Sequence, residues 1–239
     1  MIVNGVTLEV DLSGAVYWPE YGVLAVADLH FEKGTSYAPR AGLFLPPYDS
    51  RATLEALGDV IARRQPEVVL CLGDSFHDTD AGRRLDDDDR TSIQKLTGSR
   101  DWIWIAGNHD PELPDDIGGK RVEEIAIGPL LFRHEPQASG VAGEIAGHLH
   151  PCATVRVRGK SLRRRCFASN GVRTVLPAFG AYTGGLDVFD EAFAELFPGG
   201  FDTWLIGRER VRKIPASRLR QPAKSQTQGD DDEQPEAAV

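Results

Sequence analysis

Asn108, His109 and Asp110 stand together directly after the apolar run Trp102 to Ala106. A polar side chain buried without a partner costs free energy, so three in a row at the end of a core strand need something to face. Gly107-Asn108-His109-Asp110 is therefore the candidate floor of an active site. Four other stretches share the pattern of a hydrophobic run that ends abruptly in metal-type donors. Val23 to Ala27 runs into Asp28-Leu29-His30, and Val68 to Leu72 runs into Gly73-Asp74. Pro129 to Phe132 leads through Arg133 to His134, and Glu144-Ile145-Ala146 precedes Gly147-His148-Leu149-His150. Five of the six histidines fall in these stretches, which chance scatter would not produce. The sixth, His77, reads as a surface residue.

In extended chain the i and i+2 side chains of D-x-H and H-x-H point to one face, while the leucine between them turns to the core. That is ligand spacing on a strand or strand end. Nitrogen and oxygen donors without a thiolate suit manganese, iron or zinc. A single D-x-H or G-D reads equally well as a core or capping polar group. Five blocks together would leave too many buried polar groups unpaired for that reading.

The ordered set D-x-H, G-D, G-N-H-D, H and G-H-x-H, from Asp28 to His150, resembles the signature of the calcineurin-like metallophosphoesterases. A later stretch, Pro177 to Asp187, is similar to the ending of the bacterial ligase-associated DNA damage response endonucleases. The resemblance implies a β-sandwich of two mixed sheets flanked by α-helices, and two divalent metal ions, with manganese favoured over iron or zinc. It places Asp28, His30 and His150 on one ion and Asn108, His134 and His148 on the other, with Asp74 bridging. It implies in-line attack on phosphorus by a hydroxide shared between the ions. His109 is not a ligand in that scheme; it sits beside the phosphoryl group, where it can protonate the leaving alkoxide or stabilise its charge. Many relatives place an orienting carboxylate three residues after the bridging aspartate, but here that position is His77 and Asp78 follows. The implied activity is a DNA endonuclease in repair, working with a ligase, a helicase and an exonuclease. The alternatives are a small-nucleotide phosphodiesterase or phosphomonoesterase, and a non-catalytic scaffold of the same fold.

These residues need a frame of strands and helices. Met1 to Trp18 reads as a hairpin turning at Asp11 to Gly14. Ser50 is placed to cap a helix reaching Arg64, with Leu54, Leu57, Val60 and Ile61 on one stripe. A second helix spans Asp86 to Leu96, its aspartates at the positive end. Strands over Val122 to Ile127 and Pro129 to Phe132 follow the organising loop, and Ala153 to Ala168 reads as a hairpin turning near Gly159-Lys160. Repeated strand and ligand-loop units give an α/β chain with donors at strand ends. Between Asp28 and Ser50 runs a long Gly- and Pro-rich connection, from which Glu32, Lys33 and Arg40 can line a substrate cleft.

The 239 residues suffice for one large α/β domain, expected over 1–214, with hydrophobics at 41% and aromatics at 8%. From 215 to 239 Pro, Gln, Lys, Ser and Asp dominate, which reads as a disordered polar and acidic tail. No apolar run approaches a membrane span and the start has no signal-peptide pattern, so a cytoplasmic location is expected. Cys71, Cys152 and Cys166 are odd in number and lack C-x-x-C spacing, which argues against disulfides or a thiolate site. Net charge is -9, unfavourable for nucleic acid if spread evenly. It is uneven, because seven basic residues and no acidic one lie between Arg156 and Arg173. Arg163, Arg164 and Arg165 in that stretch are the expected contacts for DNA, like charges facing across the hairpin and inviting an anion.

Overall fold

The computed structural model describes residues 1–36, 48–110, 112–138, 141–157 and 159–219. Arg40 lies outside the described residues, as do 220–239 of the expected tail. The folded chain runs past the expected boundary at 214/215: Pro215 pairs with Asp202 at the end of the last strand, and Ala216–Arg218 form a short 3-10 turn.

Two sheets lie face to face. The first has six strands in the order Glu9–Val10, Val16–Trp18, Val23–Val26, Val68–Leu72, Asp101–Ile105 and Lys120–Val122, the last four mutually parallel. The second has nine strands and is mixed; Leu130–Arg133, Glu144–Ala146 and Thr174–Val175 run parallel, and the hairpin Pro151–Val157/Lys160–Ser169 is antiparallel. Alternation along each strand builds the layers. Val23, Ala25, Leu70, Leu72, Ile103 and Ile105 face the second sheet and pack with Phe132, Ile145 and Phe167. Leu24, Val26, Val69, Cys71, Trp102 and Trp104 point the other way, onto Leu54, Leu57, Val60, Ile61 and Ile93 of the helices Asp49–Arg64 and Asp87–Thr97. Helix Glu191–Leu196 covers the far side of the second sheet through Phe193 and Leu196. The expected sandwich of two mixed sheets between helices is what the chain forms.

Several local expectations change. The strand expected over Val122 to Ile127 is two strands, Lys120–Val122 in the first sheet and Glu124–Ile127 in the second, so the chain switches sheets at Glu123. Ser50 does not cap its helix, which starts after Tyr48 with no side-chain cap. Its hydroxyl instead donates to Glu32 Oε1 and accepts the Glu32 backbone N–H, both at 2.8 Å. Glu32, expected at the cleft, is thus buried as an anchor that ties the post-strand loop to the helix start. Asp86 behaves as the sequence suggests, accepting from Asp89 N at the N-cap. Among the described residues of the basic hairpin like charges do not face one another: Arg163 opposes Thr154, Arg165 opposes Cys152 and Arg156 opposes Ser161.

Candidate metal centre

The strands that carry the donors stop short of them. Val23–Val26 ends before Asp28, Val68–Leu72 before Asp74, and Glu144–Ala146 before His148. Beyond these ends Asp28, His30, Asp74, His148 and His150 all adopt positive φ, between 45° and 70°. Non-glycine residues in this left-handed region cost roughly 1 kcal/mol or more each and persist only where surrounding structure imposes them. The D-x-H and H-x-H pairs therefore do not converge as extended strand residues. They converge because left-handed residues alternate with the intervening leucine, coiling the chain so that donors turn inward. Their concentration at one place marks these loops as built for a purpose other than stability.

Two donor sets result. Asp28, His30 and His150 bring their ligand atoms within 4.8 Å of one another, and so do Asp74, His134 and His148. Asn108 lines a cleft of about 530 Å³ together with His134, on the side of the second set. The Asp74 carboxylate stands between the sets, Oδ1 3.4 Å from His134 Nε2 and Oδ2 4.0 Å from His30 Nε2. His148 Nδ1 faces His134 Nε2 at 3.2 Å, and Asp28 Oδ1 lies 3.2 Å from His150 Nε2. Among the described residues, both ring nitrogens of His30 are buried with no hydrogen-bond partner, and Nε2 of His150, though near Asp28 Oδ1, makes no aligned hydrogen bond. Burial, His150 and Lys33 push His30 down to about 2, so its imidazole is neutral and its lone pair is open for a cation. Buried, converging nitrogen and oxygen donors, with ring nitrogens among them left unpartnered, fit a pair of divalent ions.

The ligand loops also hold each other. The His148 backbone N–H donates to Asp28 Oδ2 at 3.0 Å, and that of His109 to Asp74 Oδ1 at 2.9 Å. His134 Nδ1 lies 3.0 Å from the Leu72 carbonyl, which orients Nε2 toward Asp74. Beneath it, neighbouring Arg133 ion-pairs with Glu124 and Glu144, and Arg173 meets Glu144 at 2.7 Å. Two glycines are required by contact: a Cβ at Gly73 would enter the His134 ring, and one at Gly107 would strike the Asp74 backbone nitrogen. Asp110, which the sequence places in the loop without a role, is buried and accepts from Phe76 N at 2.9 Å, bracing the segment after Asp74. Burial pushes its carboxyl up to about 7.

His109 is exposed at the rim, with Nε2 3.9 Å from Asp74 Oδ2. Its Nδ1 meets the backbone carbonyl of His77 at 3.0 Å. Asp78 is not the orienting partner, since it pairs with Arg84 at 3.0 Å. His77 is not a surface residue either: its ring stacks on His109 and lies 5.5 Å from His30. Burial, then Lys33 and His109, lower its pKa. Lys33 stands close enough to depress both His30 and His77, and burial lowers its own pKa. The stretch after Leu176 runs along the opposite edge, where Phe179 N donates to Ala27 O at 2.8 Å and Gly180 N to Asp28 O at 3.2 Å.

The expected DNA contacts divide. Arg165 is turned inward and donates to the carbonyls of Ala178 at 2.7 Å and of Phe179 and Ser13 at 3.3 Å. Burial lowers its pKa, and its role is structural. Arg163 is half-exposed but bonds to the Gly185 carbonyl and pairs with Asp187 at 3.4 Å. Of the three, Arg164 alone has neither a carboxylate partner nor a buried role among the described residues.

A family model described as calcineurin-like phosphoesterase matches residues 21–160. Among solved structures, the chain is similar to Pseudomonas putida nuclease MPE, with 30% identity and a TM-score of 0.69 over 90% of this chain and 98% of that one. It also aligns with Yfce, a phosphoesterase from E. coli, at 11% identity and a TM-score of 0.39, over 80% of this chain and 97% of that one. No curated protein matches it. With strands, donor loops and matched residues coinciding, the chain belongs to the calcineurin-like phosphoesterase family and is a metal-dependent phosphoesterase.

Proposed function

We propose that the chain is a manganese-dependent phosphodiesterase that nicks DNA during repair, in the cytoplasm and alongside a ligase, a helicase and an exonuclease. The observation that carries the two-ion phosphoesterase reading is the Asp74 carboxylate, which presents one oxygen to each of two buried donor sets. Asp28, His30 and His150 would hold one ion; Asn108, His134 and His148 would hold the second, with Asp74 shared. Two divalent ions, when bound, lower the pKa of a water and neutralise charge developing on phosphoryl oxygens. The chain's own contribution is positional. Backbone N–H groups of His109 and His148 fix the two carboxylates, and His109 holds a ring nitrogen at the exposed rim where a leaving oxygen would depart. Lys33 adds a positive charge beside the histidines for a non-reacting phosphate oxygen.

The nuclease in the comparison, similar over nearly its whole length, supports nucleic acid as the substrate class. The resemblance of Pro177 to Asp187 to the ligase-associated branch supports the repair setting. No helix among the described residues is long and apolar enough to cross a membrane. The test is hydrolysis of bis-p-nitrophenyl phosphate and of supercoiled plasmid side by side, with Mn2+, with EDTA, and with Asp74→Ala. Metal-dependent turnover of both substrates, absent in Asp74→Ala, is expected. Turnover of the small diester with no nicking would move the substrate to small nucleotides.

A further inference from the structure

Away from the histidines, a cleft of about 1150 Å³ opens between two antiparallel hairpins, Pro151–Val157/Lys160–Ser169 and Asp202–Ile206/Val211–Pro215. Its lining includes five arginines, Arg156, Arg164, Arg208, Arg212 and Arg218, and no aspartate or glutamate. Six arginines elsewhere are engaged: Arg51, Arg63, Arg64, Arg84, Arg90 and Arg133 each meet a carboxylate. Among the described residues, none of the five in the cleft does. Between them the floor is aliphatic, made by Val155, Leu162, Leu205, Ile214 and Leu219.

Five guanidinium groups held around one concavity with no carboxylate partner among the described residues repel one another, and a polyanion relieves that repulsion. Arginine rather than lysine at every position suits bidentate contact with phosphate oxygens. A concave groove with an aliphatic floor accepts a strand, its sugars and bases against the floor and its phosphates at the rim, better than it accepts a flat lipid surface. The strand Pro151–Val157 leads from His150 directly to the cleft wall at Arg156, about 20 Å away at the usual strand rise.

We propose that this cleft is a second nucleic-acid site, which holds the sugar–phosphate backbone of a strand some nucleotides away from the bond being hydrolysed. The proposal rests on the phosphodiesterase reading for its biological use, but binding at the cleft does not require the metal centre. The contact surface thereby shifts from the Arg163 to Arg165 run to arginines brought together from two hairpins and the turn after them.

The test uses the full chain stripped of metal with EDTA, so that binding is read without cleavage. Anisotropy of a fluorescent single-stranded oligonucleotide is followed across a salt series for wild type, for Arg208→Gln/Arg212→Gln/Arg218→Gln, and for the control Arg83→Gln/Arg121→Gln. The cleft variant is expected to bind about tenfold or more weakly, with the slope of log K against log salt reduced by about 2, while the control stays near wild type. Unchanged affinity and slope in the cleft variant would overturn the proposal. So would loss of binding to phosphatidylserine vesicles with oligonucleotide binding intact. Should the triple variant not fold, the single changes Arg208→Gln and Arg212→Gln are each expected to lower the slope by about 0.7, and unchanged slopes in both would overturn it equally. Bis-p-nitrophenyl phosphate, too small to reach the cleft, separates the two readings. If the metal-loaded wild type fails to hydrolyse it, the phosphodiesterase reading falls while the anisotropy result still decides the cleft.

Discussion

His109 Nδ1 lies 3.0 Å from the backbone carbonyl of His77, and the two imidazole planes are 16° apart. A carbonyl only accepts, so Nδ1 carries the hydrogen, and Nε2 is the nitrogen turned toward the site, 3.9 Å from Asp74 Oδ2. Substrate chemistry at His109 therefore runs through Nε2.

If the doubly protonated ring gives its Nε2 proton to the leaving oxygen and keeps the one on Nδ1, the need for it depends on the leaving group. His109→Gln should lower cleavage of a DNA phosphodiester, which expels a poor alkoxide, by about 10² to 10³. Hydrolysis of bis-p-nitrophenyl phosphate should fall far less, since p-nitrophenolate departs without a proton. Parallel kinetics on both substrates check this, and equal losses would assign His109 to binding instead.

Gly73→Ala introduces a Cβ into the space of the His134 ring at a position whose φ is +73°. We expect a stability loss of about 1 to 3 kcal/mol from overpacking and backbone strain. We also expect fewer than two Mn2+ bound per chain, measured by elemental analysis after gel filtration. Full metal content in the variant would show that the loop shifts without cost to the centre.

Arg165 and Arg164 are neighbours with opposite roles. Arg165→Ala strips hydrogen bonds from the carbonyls of Ala178, Phe179 and Ser13, and should cost about 2 to 3 kcal/mol in urea unfolding. Oligonucleotide affinity of the folded fraction should hold. Arg164→Gln should do the reverse.

Asp11 clamps the first hairpin to the helix Asp49–Arg64, meeting Arg63 at 3.0 Å and Arg64 at 3.2 Å. Burial pushes its carboxyl up, but bonds from Ser13 and the two guanidinium groups outweigh this and hold it below the usual 3.8. A lowered folded pKa means that the unfolded chain takes up a proton first. The contribution of Asp11 is thus complete above the usual value and is lost as pH falls through the lowered one. Urea unfolding from pH 6 to pH 3 should show a shallower acid loss in Asp11→Asn than in wild type.

Much of the centre was legible because metal donors are chemically distinctive and each follows an apolar run. The residues in D-x-H, G-D and G-N-H-D come together at the ends of adjacent strands of the first sheet, and His134 and G-H-x-H at the ends of adjacent strands of the second. The way they converge was not legible: nothing in Asp28 or His150 signals positive φ, which the surrounding contacts impose. His77 was misplaced because a lone histidine in a polar loop carries no signal until the loop is folded against His109. Arg208, Arg212 and Arg218 carry no common signal because they are scattered along the sequence. Only the pairing of Cys166–Ser169 with Asp202–Leu205 sets the two hairpins side by side. In the contiguous run Arg163 to Arg165, by contrast, strand alternation sends neighbouring arginines to different environments.

Whether two ions share Asp74 is decided by titrating Mn2+ into the metal-free chain while following hydrolysis of bis-p-nitrophenyl phosphate. Activity should rise until two equivalents are bound, and Asp74→Ala should weaken both binding steps and abolish turnover. Full activity at one equivalent, or one step left at wild-type affinity in Asp74→Ala, would contradict the account.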